Sequence, residues 1–174
     1  MLETERLILR SWRDDDLEQY AALHGDPHVA YWLGGRLTPD QAETRMREMQ
    51  AALERQGWGM WAVERREDGV WLGAVGLDPV REDVPLHPAV EASWRLAPAA
   101  WGRGYCTEAM RAVLADARAR EVGELVSYTA ATNTRSQAVM QRLGFRRDPD
   151  SDFEHPRLPE GHTLRPHVVY RLTL

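Results

Sequence analysis

The sequence predicts a single domain of mixed α/β (α+β) type spanning residues 1–174, and three observations support this. Strand-like and helix-like segments alternate along the chain. With 174 residues and 43% hydrophobic content, the chain is long enough to bury one sizeable core. No shift in composition resembles a linker, so a second domain is not expected.

The first quarter of the chain predicts one strand and two helices. Leu7-Ile8-Leu9 lies in a strand-like run over residues 3–12, and the three aspartates at 14–16 suit the start of a helix that ends at Gly25. Thr38-Pro39-Asp40-Gln41 combines a threonine N-cap, a proline at the first helical position and a glutamine at the third. This capping box predicts a helix of about four to five turns that stops at Gly57.

The middle of the chain predicts a hairpin, a further strand and a helix. Apolar runs at 60–64 and 70–77 are joined across Asp68-Gly69, a hairpin turn signal. Residues 89–97 form the next strand and lead into a glycine-containing turn. The helix after the turn has apolar residues at helical spacing. These are Ala109, Met110, Val113, Leu114 and Ala117.

The C-terminal part predicts a strand at 125–130, a helix and a closing strand at 167–174. Thr134 and Gln137 have the spacing of a second capping box, and the helix that they begin ends at Gly144. Residues 148–166 contain four prolines and no apolar period. We therefore expect a long loop there, and loops of this length are usually functional or disordered.

The turn Trp101-Gly102-Arg103-Gly104-Tyr105-Cys106-Thr107 predicts an anion-binding site. Its glycines allow positive φ and close approach of a ligand, while backbone N–H groups and the helix dipole point to one place. A dinucleotide-binding fingerprint would need a third glycine where Thr107 stands, and a P-loop would need a lysine, which this chain lacks. The ligand therefore belongs to another class.

Three motifs together resemble the GNAT N-acetyltransferase superfamily, in particular its ribosomal-protein N-terminal acetyltransferase (RimJ/RimL-type) branch. The turn is similar to the family's Gln/Arg-x-x-Gly-x-Gly/Ala loop, although Trp101 and Cys106 depart from it at the two ends. Glu91 to Pro98 resembles the strand before that loop, and Asn133 to Phe145 resembles the Asn-x-x-Ser segment that ends in Leu-Gly-Phe. The resemblance implies a central, twisted, mixed and mostly antiparallel sheet of about six to seven strands flanked by about four helices.

The resemblance also implies acetyl-CoA as co-substrate, with no metal. The turn would hold its pyrophosphate. Backbone groups near Leu96 and Ala97 would pair with the pantetheine arm, and an N–H there would stabilise the thioester oxygen as it gains charge. The implied CoA-binding residues are Leu96, Ala97, Trp101, Gly102, Arg103, Gly104, Tyr105, Cys106, Thr107, Asn133 and Ser136. Asn133 has the alternative of capping a helix.

Glu91 is the candidate general base, because an amine must lose a proton before it attacks a thioester. Its alternative role is a strand glutamate that faces solvent or pairs with an arginine. Many relatives place a tyrosine where Met140 stands, so Ser136 is the candidate acid, unless its hydroxyl only binds CoA or completes the helix terminus. Glu154 or His162 in the 148–166 loop is an alternative proton acceptor, on the hypothesis that this loop covers the acceptor.

Two further hypotheses concern a nucleophilic cysteine and a metal-binding histidine pair, and the residues around them argue against both. Cys106 could be a nucleophile, since a helix N-terminus lowers a thiol pKa, but no activating partner can be assigned to it, and we expect Cys106→Ala to retain activity. His24 and His28 have the spacing of a metal pair, but Gly25 and Pro27 interrupt the helix that would align them.

The distribution of charged residues along the chain limits the kinds of partner that the protein is expected to bind. Residues 95–147 carry nine arginines against four acids, whereas the remainder carries 13 arginines and 23 acids. This division suits a polyanionic cofactor beside a cationic acceptor, unless the surface charge is segregated without a functional reason. A net charge of −5 argues against nucleic acid. With no apolar leader or membrane span and a single cysteine, a cytoplasmic protein is expected.

The sequence thus predicts an acetyl-CoA-dependent N-acetyltransferase that transfers directly to a primary amine, on a small molecule or a peptide N-terminus. The rival hypothesis is a non-catalytic acyl-CoA-binding or sensing module, and an unrelated nucleotide-binding protein is a third. The family often dimerises, so a homodimer stays open.

Overall fold

The computed structural model describes all residues from Met1 to Leu174. It contains five α-helices and nine β-strands, more of each than the sequence predicted. The helices are Asp16–Gly25 (α1), Pro27–Trp32 (α2), Pro39–Gln56 (α3), Tyr105–Ala119 (α4) and Thr134–Arg142 (α5). The strands are Leu2–Glu3 (β1), Leu7–Arg10 (β2), Met60–Arg65 (β3), Trp71–Pro79 (β4), Val90–Leu96 (β5), Glu124–Ala130 (β6), Arg146–Arg147 (β7), Phe153–Glu154 (β8) and Pro166–Thr173 (β9).

All nine strands belong to one mixed sheet, with the order β1-β2-β3-β4-β5-β6-β9-β7 and β8 paired with β9. Every pairing is antiparallel except that between β5 and β6. Those two strands meet in register only at Glu91 and Val126, and the Ser127 hydroxyl adds a hydrogen bond of 2.8 Å to the Ala92 carbonyl. Beyond this point β5 and β6 part, which leaves backbone groups of β5 without a strand partner.

The predicted capping box at the start of α3 is confirmed. Thr38 Oγ1 accepts from the Gln41 N–H, and the Gln41 side chain accepts from the Thr38 N–H. The helix ends where Gly57 adopts a left-handed conformation with φ of +74°, as expected for a glycine C-cap. Both ends were readable because capping depends on residues close in sequence.

The beginning of α1 differs from the expectation. Asp15 is the N-cap residue and makes no side-chain cap, whereas Asp16 is buried and forms a bidentate ion pair with Arg10 of β2. Arg10 also bonds Glu64 of β3 at 2.6 Å. Asp16 therefore attaches α1 to the sheet, and α1 brings Tyr20 and His24 to the site described below.

Three local predictions need correction. The sequence missed α2, whose N-cap is Asp26. The predicted capping box of Thr134 and Gln137 is wrong, because Asn133 is the N-cap of α5 and accepts from the Ser136 N–H. The 148–166 segment is not a structureless loop, since it contains a 3-10 turn at 149–151 and strand β8.

The helices pack their buried residues onto both faces of the sheet and form one main apolar cluster. A smaller cluster of Val80, Val84 and Val126 lies near the carboxyl end of β4. No helix is both long and apolar enough to cross a bilayer.

Candidate active site

A continuous cleft of about 2140 Å³ runs through the opening between β5 and β6. One end is lined by the turn before α4 and by the first turns of α5. The other end is lined by side chains from α1, α3, β4, β5, β6 and the segment before β9. The first end combines the backbone of the turn with several arginines, and the second contains most of the carboxyl, histidine and tyrosine side chains that line the cleft.

The glycine turn has the geometry that the sequence predicted for an anion cradle. Gly102 and Gly104 have φ of +71° and +80°, and a Cβ at Gly102 would meet no atom within 4 Å. Gly104 is the N-cap of α4 and provides no side chain, so the N–H groups at the start of the helix lack an internal acceptor. Together with the helix dipole, these groups fit a phosphate-bearing ligand.

Arg6 and Glu108 hold this turn in place, a role that the sequence did not reveal. Glu108 accepts hydrogen bonds from Thr4 Oγ1 at 2.6 Å and from the Arg6 Nε at 2.7 Å. The same arginine donates to the Arg103 carbonyl at 3.1 Å and lies over the Tyr105 ring, 4.6 Å from its centroid. The start of β2 thus fixes both the turn and the first turn of α4.

Trp101 connects the turn to β5. Its indole N–H donates to the Leu96 carbonyl at 2.7 Å, and the Arg135 guanidinium of α5 lies 5.4 Å from its ring centroid. Trp101 therefore stabilises the turn through its side chain, and Arg135 adds a positive charge beside it.

The two residues predicted to pair with pantetheine, Leu96 and Ala97, direct their backbone N–H groups to opposite sides. The Ala97 N–H donates to Leu72 in β4 and its carbonyl accepts from Ala100, and Ala97 does not line the cleft. Both backbone groups of Ala97 are thus already bonded within the protein, and a contact of Ala97 with CoA stays a prediction. Because successive N–H groups of a strand alternate in direction, those of Leu96 and Trp94 face the opening beside β6. Trp94 was missed, although the same alternation could have found it.

The remaining predicted residues of the turn and of α5 are placed as follows. Tyr105, Cys106 and Thr107 line the cleft, whereas the Arg103 side chain is exposed outside it. Burial raises the pKa of the Cys106 thiol, so the thiol is protonated at neutral pH and is a poor nucleophile. The helix dipole does not outweigh that burial.

Asn133 and Ser136 both lie on the cleft wall. The Asn133 side chain is engaged twice, since it caps α5 and donates to Thr129 Oγ1 at 3.1 Å. Ser136 is half-buried in the first turn of α5. Met140, at the position where many relatives have a tyrosine, is buried in the core and cannot reach the cleft.

Glu91 lies where β5 and β6 begin to part. It is half-buried and lines the cleft, and burial raises its pKa from 4.5 to about 7, partly opposed by the Tyr128 hydroxyl and by Arg95. Asp78 is directly opposite Glu91 in the β4–β5 register, and its negative charge favours the protonated form of Glu91. A carboxyl that titrates near neutral pH is suited to exchanging a proton with an amine.

Comparison with known proteins identifies the family. The profile of the acetyltransferase (GNAT) domain matches residues 6–146, which contain the cleft motifs. The chain belongs to the GNAT acetyltransferases. It is therefore an acetyl-CoA-dependent acyltransferase, as the motifs indicated.

Individual relatives agree with this assignment. The chain is 24% identical over 151 residues to the N-acetyltransferase YoaA of Bacillus subtilis, covering 85% of this chain and 84% of that protein. An acetyltransferase structure from Agrobacterium tumefaciens is 28% identical with a TM-score of 0.79, covering 98% of this chain and 92% of the other. The RimL ribosomal L7/L12 α-N-protein acetyltransferase in complex with coenzyme A shares the fold, with 14% identity, a TM-score of 0.77 and coverage of 98% and 96%.

The 148–166 segment of this GNAT chain borders the cleft with residues other than those predicted. Glu154 is exposed and pairs with Arg165, and His162 accepts from the Leu164 N–H. Neither residue lines the cleft, so their positions favour Glu91 over them as the proton acceptor.

Two other histidines reach the cleft near that segment. His155 and His167 line it, with ring centroids 4.7 Å apart. Burial and the neighbouring His167 lower the pKa of His155 to about 4. His155 is thus a weaker base than Glu91 for a protonated amine.

Sequence reasoning missed Tyr128, a cleft residue beside Glu91. Burial and the Glu91 carboxylate raise the pKa of its hydroxyl, so it stays protonated and can donate to Glu91. The ring packs edge-on against Phe153 of β8, with centroids 5.5 Å apart. The alternation along β6 was readable, but its register with β5 was not.

Proposed function

We propose that this protein transfers the acetyl group of acetyl-CoA directly to a primary amine, with Glu91 as general base. The observation that carries the proposal is a carboxyl with a pKa of about 7 in the same cleft as the glycine turn. The turn at one end suits the phosphates of the donor. Glu91 at the other end suits an acceptor amine.

The proton balance favours Glu91 for this role. The amine nitrogen forms a bond to the acetyl carbonyl carbon, the carbon–sulfur bond breaks, and the amine proton passes to Glu91 directly or through one water. The coenzyme leaves as a thiolate with a pKa of about 8.5 by analogy with cysteine, so an acid adds only modest acceleration. Ser136 is the proposed acid, and its half-burial on the cleft wall is compatible with that role.

Backbone groups would bind the donor without any cofactor-specific side chain. The Leu96 N–H would stabilise the oxygen that gains negative charge, and Trp94 and Leu96 together would pair with the pantetheine amides as an added strand does. Asn133 and the segment 101–107 complete the proposed CoA site. We expect the protein to act in the cytoplasm, where acetyl-CoA is made and used.

The direct test measures thiol release from acetyl-CoA with a panel of amines and peptide N-termini. Turnover that depends on both substrates, and that Glu91→Gln lowers by about two orders of magnitude or more, supports the proposal. CoA binding without turnover by any amine would favour the acyl-CoA sensor instead. A burst of acetyl-enzyme without an acceptor would contradict direct transfer.

A further inference from the structure

Arg45 of α3 and Arg95 of β5 both line the acceptor end of the cleft. Neither has a carboxylate within ion-pair distance. Every other arginine that lacks an acidic partner is exposed, whereas these two are half-buried. Two half-buried guanidinium groups without a counterion are costly unless something neutralises them.

The nearest carboxyls act on these arginines only at a distance: Arg95 opposes the rise in the pKa of Glu91, and Arg95 and Arg45 oppose that of Asp78, but neither arginine forms an ion pair. Burial and the positive charge of Arg95 lower the pKa of Arg45, although a guanidinium stays protonated at neutral pH. Arg95 has only two long contacts, each 3.4 Å, to the Tyr20 hydroxyl and to Ser93 Oγ, and its Nε is buried without a partner. Its terminal N–H groups therefore have only long contacts within the protein and could bind an anion in the cleft.

His24 lies in the field of the same two arginines. It is 1% exposed, and neither ring nitrogen has a hydrogen-bond partner. Burial, Arg95 and Arg45 lower its pKa to about 3, so the ring is neutral. Tyr20 packs against it with ring centroids 4.6 Å apart, and both residues line the cleft.

Acidic groups lie further along the same face of the sheet. Glu91 and Arg95 are four residues apart on β5, so their side chains share a face with about 13 Å of strand between their Cα atoms. Asp78 stands opposite Glu91. The cleft thus has carboxyl groups at Glu91 and Asp78 and guanidinium groups without ion pairs at Arg45 and Arg95, and Glu48 and Arg81 also line it.

We infer that the acceptor is a small molecule of amino-acid type, whose amine faces Glu91 while an anionic group, a carboxylate or a phosphate, binds Arg45 and Arg95. Guanidinium groups bind both anions through paired N–H donors. The inference rests on the proposed amine acetylation and specifies its substrate class. It also adds an anionic group to the cationic acceptor that the charge of the sequence suggested.

The test compares acceptors that differ only in the anionic group. Each amino acid is assayed beside its amide, its decarboxylated amine and the corresponding aminoalkyl phosphate, with acetyl-CoA saturating. We expect kcat/KM at least about tenfold higher for an anionic member, since a charged hydrogen bond contributes about 1.5–3 kcal/mol. The carboxylate and phosphate arms show which anion the site takes.

Arginine substitutions test whether the preference for an anionic acceptor comes from Arg45 and Arg95. Arg45→Met and Arg95→Met should each raise the KM of the anionic acceptor about tenfold or more, with the KM of its neutral amide and of acetyl-CoA nearly unchanged. Arg95→Lys should recover part of the loss. Arg47→Met is the matched control, because Arg47 lies two residues along α3, is exposed and pairs with Asp14.

Folding and binding are checked separately. Removing one of two like charges should leave the melting temperature unchanged or raised. Calorimetric titration of the CoA-saturated protein with an amino acid and its amide tests the anion site without turnover, so failure of catalysis does not hide the result. Equal affinity for the amino acid and its amide would overturn the inference. So would kinetics in which a peptide N-terminus or a polyamine is the best substrate and the arginine variants are unaffected. An absence of acetylation with selective binding of the amino acid would instead refute the proposed function.

Discussion

Replacing Glu91 by Gln should lower activity and raise stability at the same time. Glutamine keeps the shape of the side chain and removes its charge. Burial raises the pKa of Glu91 from 4.5 to about 7, and each pH unit of such a difference is worth about 1.4 kcal/mol. The upper bound is therefore about 3 kcal/mol, which we reduce to about 1–2 kcal/mol because the side chain is only half-buried and solvent screens it.

The sign of this stability change and its dependence on pH follow from proton linkage. A carboxyl whose pKa is raised by folding holds its proton more tightly in the native state, so its contribution to stability is complete below pH 4.5 and is lost as the pH rises through about 7. The glutamine variant does not titrate there. Its free energy of unfolding relative to the wild type should therefore grow between pH 4.5 and 7 and level off above pH 7.

Urea unfolding at pH 5 and pH 8 measures this difference, and kinetics give the second readout. Wild-type kcat/KM should rise with pH through an apparent pKa near 7, while the variant loses about 10²–10⁴-fold and shows no such limb. Glu54→Gln, an exposed position on α3, is the control and should change neither quantity. A variant that keeps the limb, or whose relative stability falls with pH, would refute our account of Glu91.

Four further outcomes are expected. Gly104→Ala should cost about 1–2 kcal/mol of stability and raise the KM of acetyl-CoA, because φ is +80° there; an unchanged KM would contradict the cradle. Cys106→Ala should keep most steady-state activity, and a hundredfold loss would revive the nucleophile. Asp16→Asn breaks the buried pair with Arg10 and should lower the urea-unfolding free energy by about 3 kcal/mol, a prediction that a loss below 0.5 kcal/mol would contradict. Tyr128→Phe should move the acidic limb of kcat/KM to higher pH, since the hydroxyl lowers the pKa of the neighbouring base; a shift to lower pH would oppose that role.

The features that the sequence predicted well depend on neighbours in the chain. The capping box at Thr38, the glycine end at Gly57 and the strand, turn and helix around Gly104 are each encoded within a few residues. The family motifs had the same property. They therefore located the donor end of the cleft before any tertiary information was available.

The second capping box failed because two residues had competing partners. Asn133 stands one position before Thr134 and offers the stronger N-cap. The Gln137 side chain is occupied elsewhere, since it bonds the Ala131 carbonyl and the Tyr170 hydroxyl. A local pattern could not weigh those long-range contacts. Helix α2 was missed for a related reason, since six residues show too little periodicity to be recognised.

The acceptor end was the least predictable because register and packing assemble it. Asp78 reaches Glu91 only through the β4–β5 pairing, and Arg45 reaches Arg95 only through the packing of α3 on the sheet. The sequence reveals each residue but not these juxtapositions. A candidate base could thus be chosen from a motif while its electrostatic neighbours stayed hidden.

The charge of a sequence segment and the charge around the cleft differ for a physical reason. Arg45 belongs to the part of the chain with a net charge of about −10, yet it lines the cleft beside Arg95 from the basic part. A sum over sequence weighs every charge equally, whereas exposed acids are screened within about 10 Å and half-buried guanidinium groups are not. The field that an acceptor meets is therefore set by the few charges around the cleft, and these include both carboxyl and guanidinium groups. An acceptor with both an amine and an anion satisfies that field, whereas a polyamine would place a positive charge against Arg45 and Arg95.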